Sequence, residues 1–154
     1  MDTAFRALVA EDEGELKITF KDLVVDDLPD GEVTVAVAYS SLNYKDGLAL
    51  NGNKGRIMRS LPMVPGIDLA GTVEESSSPD FQAGDAVLAT GWGLGERHWG
   101  GYAQRARVRA EWLTPLPDGL DLRQAMAIGT AGLTAILSVM ALERHGLQPG
   151  KLPV

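Results

Sequence analysis

A mainly β fold with a few helices, most of them gathered at the C-terminal end, is what this sequence predicts, and three observations carry it. Residues 33–40 form a run of β-formers, Val33-Thr34-Val35-Ala36-Val37-Ala38-Tyr39-Ser40, long enough for a central strand. From the N-terminus to Gly119, glycine and proline punctuate short apolar segments at turn spacing. Beyond Asp121 the grammar changes, and Ala125 to Leu142 carries no charge and repeats its large apolar residues at helical spacing.

Taken in order, residues 5–10 and 16–20 read as two strands of a hairpin, with Gly14 supplying the positive φ of the acidic turn Glu11-Asp12-Glu13-Gly14. Leu28-Pro29-Asp30-Gly31 is a second turn, because proline pre-sets φ and glycine releases it, and it leads into the long strand 33–40, apolar on both faces and therefore central. At that strand's end stands a compact group of hydroxyl, amide, amine and carboxylate side chains, Ser40-Ser41-Leu42-Asn43-Tyr44-Lys45-Asp46, the place where chemistry would begin. A short helix follows over 46–50, then a loop over 51–55. Lys54, Arg56 and Arg59 make a basic patch here, read either as solvated or as a contact to a phosphate-bearing ligand.

Pro62 and Pro65 forbid a helix before the strand expected over 67–73, and Gly66 and Gly71 mark close backbone approach or a bulge. A turn at 76–80 precedes a strand over 86–90. Gly91-Trp92-Gly93-Leu94-Gly95-Glu96-Arg97-His98-Trp99-Gly100-Gly101 then combines five glycines with two tryptophans and His98. No helix follows directly, as a phosphate-cradling loop requires, so the segment reads as a substrate-facing loop with tryptophan walls or a structural Ω-type loop. Along the strand expected over 102–109, Arg105, Arg107 and Arg109 alternate with Ala106 and Val108, a period-2 row facing water or, in the sharper reading, an anionic ligand. Asp121 is an N-cap for a helix running to Met126 or beyond, and a second helix from about Thr130 reaches His145, closed by Gly146. The uncharged run only just reaches membrane-spanning length and is diluted by Gly129, Thr130, Gly132, Thr134 and Ser138, so it reads as a helix apolar on most sides that wants partners on most sides. The end, Leu147 to Val154, reads as a loop and the first residues of a new strand.

Composition narrows function. With 21 acidic and 14 basic residues the net charge is −7, which repels nucleic-acid backbones. There are no cysteines and only two histidines, so thiolate metal sites are excluded, and no HExxH spacing occurs. No secretory signal is legible at the start, and a soluble cytosolic protein is the expectation.

The segments SSLNYKDGLAL, MVPGIDLAGTV, FQAGDAV, TGWGLGERHWGGYA and GTAGLTAILSVMALE, in that order, resemble the zinc-independent branch of the medium-chain dehydrogenase/reductase superfamily, and within it the acrylyl-CoA reductase (YhdH/AcuI) family. The resemblance covers most of positions 33–143. It implies a GroES-like, curved β-barrel domain over 1–120 that supplies the substrate side of a cleft, and a helical connection over 121–154 that leads toward a Rossmann domain not present in this chain. It implies NADPH as cofactor, an acyl-CoA thioester as substrate, and a cytoplasmic enzyme that is a homodimer when complete. Where zinc-dependent relatives carry cysteine after the central strand and histidine-glutamate after Pro-Gly, this chain has Ser40 to Asn43 and Pro65-Gly66-Ile67-Asp68, and Ile67 cannot ligate a metal. Tyr44, Asn43 and Asp46 are the catalytic candidates that the resemblance implies, Tyr44 and Thr130 the cofactor contacts, and Trp92, His98 and Trp99 the substrate contacts. Asp46 has two readings, a residue fixing local geometry or a plain helix-start residue. The fragment alone is expected to be inactive. An NADPH quinone or enone reductase of the same fold and a stand-alone GroES-like binding module are the alternatives.

Overall fold

The computed structural model describes residues 4–146, 148 and 150. The strand start expected at 151–154 lies outside the described residues. The chain runs β1 (Phe5–Asp12), β2 (Leu16–Leu23), β3 (Val33–Tyr39), α1 (Tyr44–Leu50), β4 (Asp68–Ser76), β5 (Ala86–Thr90), β6 (Arg105–Val108), β7 (Thr114–Pro115) and α2 (Leu122–Arg144), with three short 3-10 turns between them. The mainly β class with a closing helix is what the sequence predicts.

β1 and β2 pair antiparallel as the expected hairpin, with Gly14 at φ 92°. The remaining strands form one antiparallel sheet in the order β6-β3-β4-β5-β7, which puts β3 in the interior, as its two apolar faces require. Register shifts at Thr34/Val35 and Val37/Tyr39 bend β3 along β4. Among the described residues no ladder joins β6 to β7, so the curved barrel is not closed by backbone pairing. Instead the hairpin attaches through isolated bridges, Ala7 to Ala103 and Ala10 to Met63. The sheet core is Val33, Val35, Leu69, Val73, Val87, Val108 and Leu113, all buried. Gly71 is required in β4, because a Cβ there would lie 2.0 Å from the Ala36 carbonyl oxygen on β3.

The strand expected over 102–109 shortens to β6, since 102–104 bond the hairpin instead: Leu8 N–H donates to the Tyr102 carbonyl at 2.8 Å and Gln104 N–H to the Arg6 carbonyl at 2.9 Å. The arginine row does not simply face water. Arg105 Nε meets Glu74 at 2.6 Å, Arg107 Nε donates to Thr34 Oγ1 at 3.3 Å, and Arg109 pairs with Glu111 while lying 5.6 Å over the Trp112 ring.

α2 opens on a reciprocal capping box: Gln124 N–H donates to Asp121 Oδ1 at 2.7 Å, and Asp121 N–H donates to Gln124 Oε1 at 2.9 Å. It is two helical segments, broken at Gly129 (φ 50°, ψ −161°), so the separate helices that the sequence predicts on either side of this point are both present. The first segment buries Ala125 and Met126 on the sheet. The second leaves Leu133, Ile136, Leu137, Val139, Met140 and Leu142 at 40–55% exposure, the partner-seeking apolar surface expected from its composition. By length and composition α2 could cross a membrane. Its unbroken part, 130–144, rises only about 22 Å at ~1.5 Å per residue, against a hydrocarbon core of ~30 Å.

Candidate active site at the broken helix

Asp68, the first residue of β4, is wholly buried, and its carboxylate oxygens act as hydrogen-bond acceptors. Its Oδ2 accepts from Ser41 Oγ, from Asn43 Nδ2 at 3.1 Å and from Thr130 N–H at 2.9 Å, while its Oδ1 accepts from Thr130 Oγ1 at 2.5 Å. One carboxylate therefore fastens the end of β3 to the start of the second segment of α2. The Thr130 N–H belongs to that segment's first turn, where the unpaired amides and the helix dipole favour negative charge. Gly129 is what lets Thr130 turn toward Asp68: a Cβ at 129 would stand 2.9 Å from Asp68 Oδ2 and 3.1 Å from Ser41 Oγ.

Asp46 is also buried, at 1% exposure, and accepts from Asn43 N–H at 2.8 Å and from Ile67 N–H at 3.1 Å. It thus combines both sequence readings, a third-position helix residue reaching back to the cap and a tie to the approach to β4. It does not line the cavity, and its oxygens are held by backbone, so as a catalytic candidate it is placed beneath the site. Tyr102, between the two carboxylates, donates its hydroxyl to the Ser41 carbonyl at 3.1 Å. Burial, and secondarily the negative charge of Asp46 and Asp68, pushes this phenol well above the usual tyrosine range.

On this base stands a cavity of about 510 Å³, lined by Asn43, Tyr44, Lys45, Ile67, Leu94, Thr130 and Ala131 among others. The structure brings Asn43, Tyr44 and Thr130 together, as expected. Tyr44 is 84% exposed and presents its ring. Asn43 differs from a free catalytic amide, because its Nδ2 is committed to Ser41 Oγ at 3.0 Å as well as to Asp68.

The aromatic loop lies elsewhere. Gly91 and Gly93 line the Tyr44 cavity, but Trp92 (φ 53°) turns away to a separate hollow of about 820 Å³ with His98, Arg97, Arg109 and Trp112. His98 Nε2 is 2.7 Å from the Arg107 carbonyl, and its ring meets Trp112 edge-on at 5.0 Å. Trp99 packs between two core clusters and donates Nε1–H to the Pro62 carbonyl at 3.1 Å. Trp92, His98 and Trp99, the expected substrate contacts, therefore do not line the cavity that holds Tyr44. The density of glycine has a different cause: a Cβ at Gly100 would lie 2.0 Å from the Gly66 carbonyl oxygen, and one at Gly101 2.2 Å from that of Asp68.

Asp68 and Tyr102 are the residues sequence reasoning missed at this site. A single charged residue inside the apolar stretch Ile67-Asp68-Leu69-Ala70 was the available signal, since a buried charge persists only with partners. Among the described residues no three His, Cys, Asp or Glu side chains group to hold a metal ion.

The model of the alcohol dehydrogenase GroES-like domain family matches residues 29–118. The chain is 60% identical to the acrylyl-CoA reductase AcuI of Ruegeria pomeroyi over 97% of its own length, and 47% identical to the putative quinone oxidoreductase YhfP of Bacillus subtilis over 98%. The crystal structure of Escherichia coli K-12 YhdH with bound NADPH superposes with a TM-score of 0.88 at 56% identity, over 93% of this chain and 44% of that one. The chain spans 46% of the length of each of the two curated relatives.

Proposed function

Because this chain belongs to the alcohol dehydrogenase GroES-like domain family, we propose that it is the substrate-side part of an NADPH-dependent acryloyl-CoA reductase, with residues 1–120 as the catalytic domain and α2 leading toward a cofactor-binding domain. The observation that carries the proposal is the convergence of Tyr44, Asn43 and Thr130 on one cavity, in a chain 60% identical to an acrylyl-CoA reductase. The residues fit the cofactor: an exposed tyrosine ring beside a largely apolar cavity of about 510 Å³ suits a nicotinamide ring.

NADPH, when bound, supplies the hydride that adds to the β-carbon of the enoyl thioester. The chain's own residues position, dry and protonate. Ile67, Leu94 and Ala131 wall the cavity with apolar surface that excludes water. The Asp68 network holds Asn43 and Thr130 in fixed rotamers, so the cavity floor is organised before ligands arrive. The Tyr44 hydroxyl is the group assigned to pass a proton to the α-carbon, completing propionyl-CoA. A phenol is a slow acid unaided, so protonation is where this site needs the most help. The exposed apolar face of the second α2 segment is where the cofactor-binding part would pack, and the complete enzyme is proposed as a cytoplasmic homodimer.

The 47% identity to a protein named as a quinone oxidoreductase supports a second reading, quinone or enone reduction. Steady-state NADPH oxidation by the complete reductase separates the two. Acryloyl-CoA is expected to have the higher kcat/KM, and preference for a simple quinone would overturn the substrate assignment.

A further inference from the structure

Three cations converge on a single carboxylate, one of them from the wall of the cavity: Lys45 Nζ at 2.6 Å, Arg59 Nε at 3.7 Å and Arg97 Nε at 3.5 Å from Glu96. Among the described residues the pairs Arg6–Asp22, Lys17–Glu13, Lys21–Glu11 and Arg109–Glu111 each join one cation to one carboxylate. One carboxylate neutralises one cation, so a double positive excess remains in a protein of net charge −7.

The cluster is built from underneath. The Glu96 side chain is only 13% exposed, whereas those of Lys45, Arg59 and Arg97 are 42%, 56% and 74% exposed. Its backbone is fixed too: Arg59 N–H donates to the Glu96 carbonyl at 2.8 Å, and Arg97 N–H donates to the Gly93 carbonyl at 2.8 Å. Lys45 and Gly93 also line the cavity that holds Tyr44 and Thr130, and Arg97 lines the hollow beside Trp92, so the cluster adjoins both. Lys54 and Arg56, on the segment that leads to Arg59, add positive charge nearby.

We propose that Lys45, Arg59 and Arg97 form the docking site for the phosphate groups of the substrate's coenzyme A. This rests on the acyl-CoA reading above. The acyl group and pantetheine arm of such a substrate are uncharged, so its phosphates are the groups that a cationic rim can recognise. Guanidinium forks and an ammonium gathered around one half-buried anion are suited to charge-assisted hydrogen bonds with phosphate oxygens. The phosphates of NADPH share this chemistry, and the test separates the two sources.

The complete reductase is compared with its Arg59→Ala/Arg97→Ala variant on acryloyl-CoA, on acryloyl-N-acetylcysteamine, which lacks phosphate, and on varied NADPH. The expected result is a rise of about tenfold or more in KM for acryloyl-CoA, with kcat, KM for NADPH and kinetics on the phosphate-free thioester unchanged. Arg59→Lys/Arg97→Lys is expected to restore most of the loss. In the unaltered enzyme, KM for acryloyl-CoA is expected to climb with ionic strength while that for the phosphate-free thioester stays flat. An unchanged KM for acryloyl-CoA, a rise confined to NADPH, equal losses on both thioesters, or a salt-independent KM would each overturn the proposal and leave the reductase reading standing. If the unaltered enzyme reduces neither thioester, the reductase reading fails and this proposal with it. Should the alanine variant not fold, the lysine variant and the salt dependence decide.

Discussion

Replacing Asp68 by asparagine tests whether one buried carboxylate holds the site together. The exchange preserves shape and removes charge. Because Oδ1 accepts only from Thr130 Oγ1, a hydroxyl that can itself accept, the new amide nitrogen costs least on that side. The remaining oxygen then keeps Ser41 Oγ, Asn43 Nδ2 and Thr130 N–H as neutral hydrogen bonds. Bonds to charged groups contribute about 1.5–3 kcal/mol and neutral ones about 0.5–1.5, and neighbouring bonds do not add, so the expected loss is about 2–3 kcal/mol. For a domain of this size that lowers Tm by roughly 5–10 °C. Thermal unfolding followed by circular dichroism measures it, with urea unfolding to check that the midpoint moves at constant slope. A variant melting within about 2 °C of the parent would refute the account of Asp68 as the link between β3 and α2.

Gly129→Ala is expected to cost about 1–3 kcal/mol, since Gly129 has φ 50° and ψ −161° and the new methyl would press on Asp68 and Ser41; differential scanning calorimetry reads the shift. The Tyr102 phenol, raised in the folded protein by burial first and by Asp46 and Asp68 after it, contributes stability that is fully present below about pH 10 and lost as pH rises toward its folded value. Tyr102→Phe should flatten that alkaline decline in a series of melting curves. Glu96 has the opposite sign: its hydrogen bond to Lys45 holds the carboxyl below the usual range despite partial burial, so its contribution is present above about pH 4.5 and lost as acid protonates it. Glu96→Gln should remove that part of the acid limb, measured by the same series below pH 5.

Much of the architecture was legible because its causes are local. Gly14 and the Asp121 N-cap act on the backbone within a turn of themselves, and each is found where its chemistry requires. The strand from Ala86 to Thr90 lies between turn signals that leave it no other extent. That Asn43, Tyr44 and Thr130 share one cavity was legible through resemblance to a family. The Asp68 network was not, because its partners sit at 41, 43 and 130, separations that no periodicity reports. The aromatic glycine loop misled for a physical reason: glycines needed for a close backbone crossing at Gly66 and Asp68 look, in sequence, like glycines needed to admit a ligand.

The same crossing explains why the cavity floor and the cation cluster are parts of one construction. Gly101 N–H donates to the Gly66 carbonyl at 2.9 Å and Gly100 N–H to the Val64 carbonyl at 2.7 Å, which clamps the loop against the approach to β4. From that clamp, Asp68 reaches one way to Thr130 at the broken helix, and Glu96 reaches the other way to Lys45 on α1. Lys45 follows Tyr44 directly, so a shift of the loop would move the cationic rim and the tyrosine together. A substrate held at both ends, by its thioester in the cavity and by its phosphates on the rim, would thus meet two contacts whose spacing is set by one rigid backbone crossing. Binding energy from the distant phosphates is then shared by the bound substrate and the transition state, which lowers KM without changing kcat.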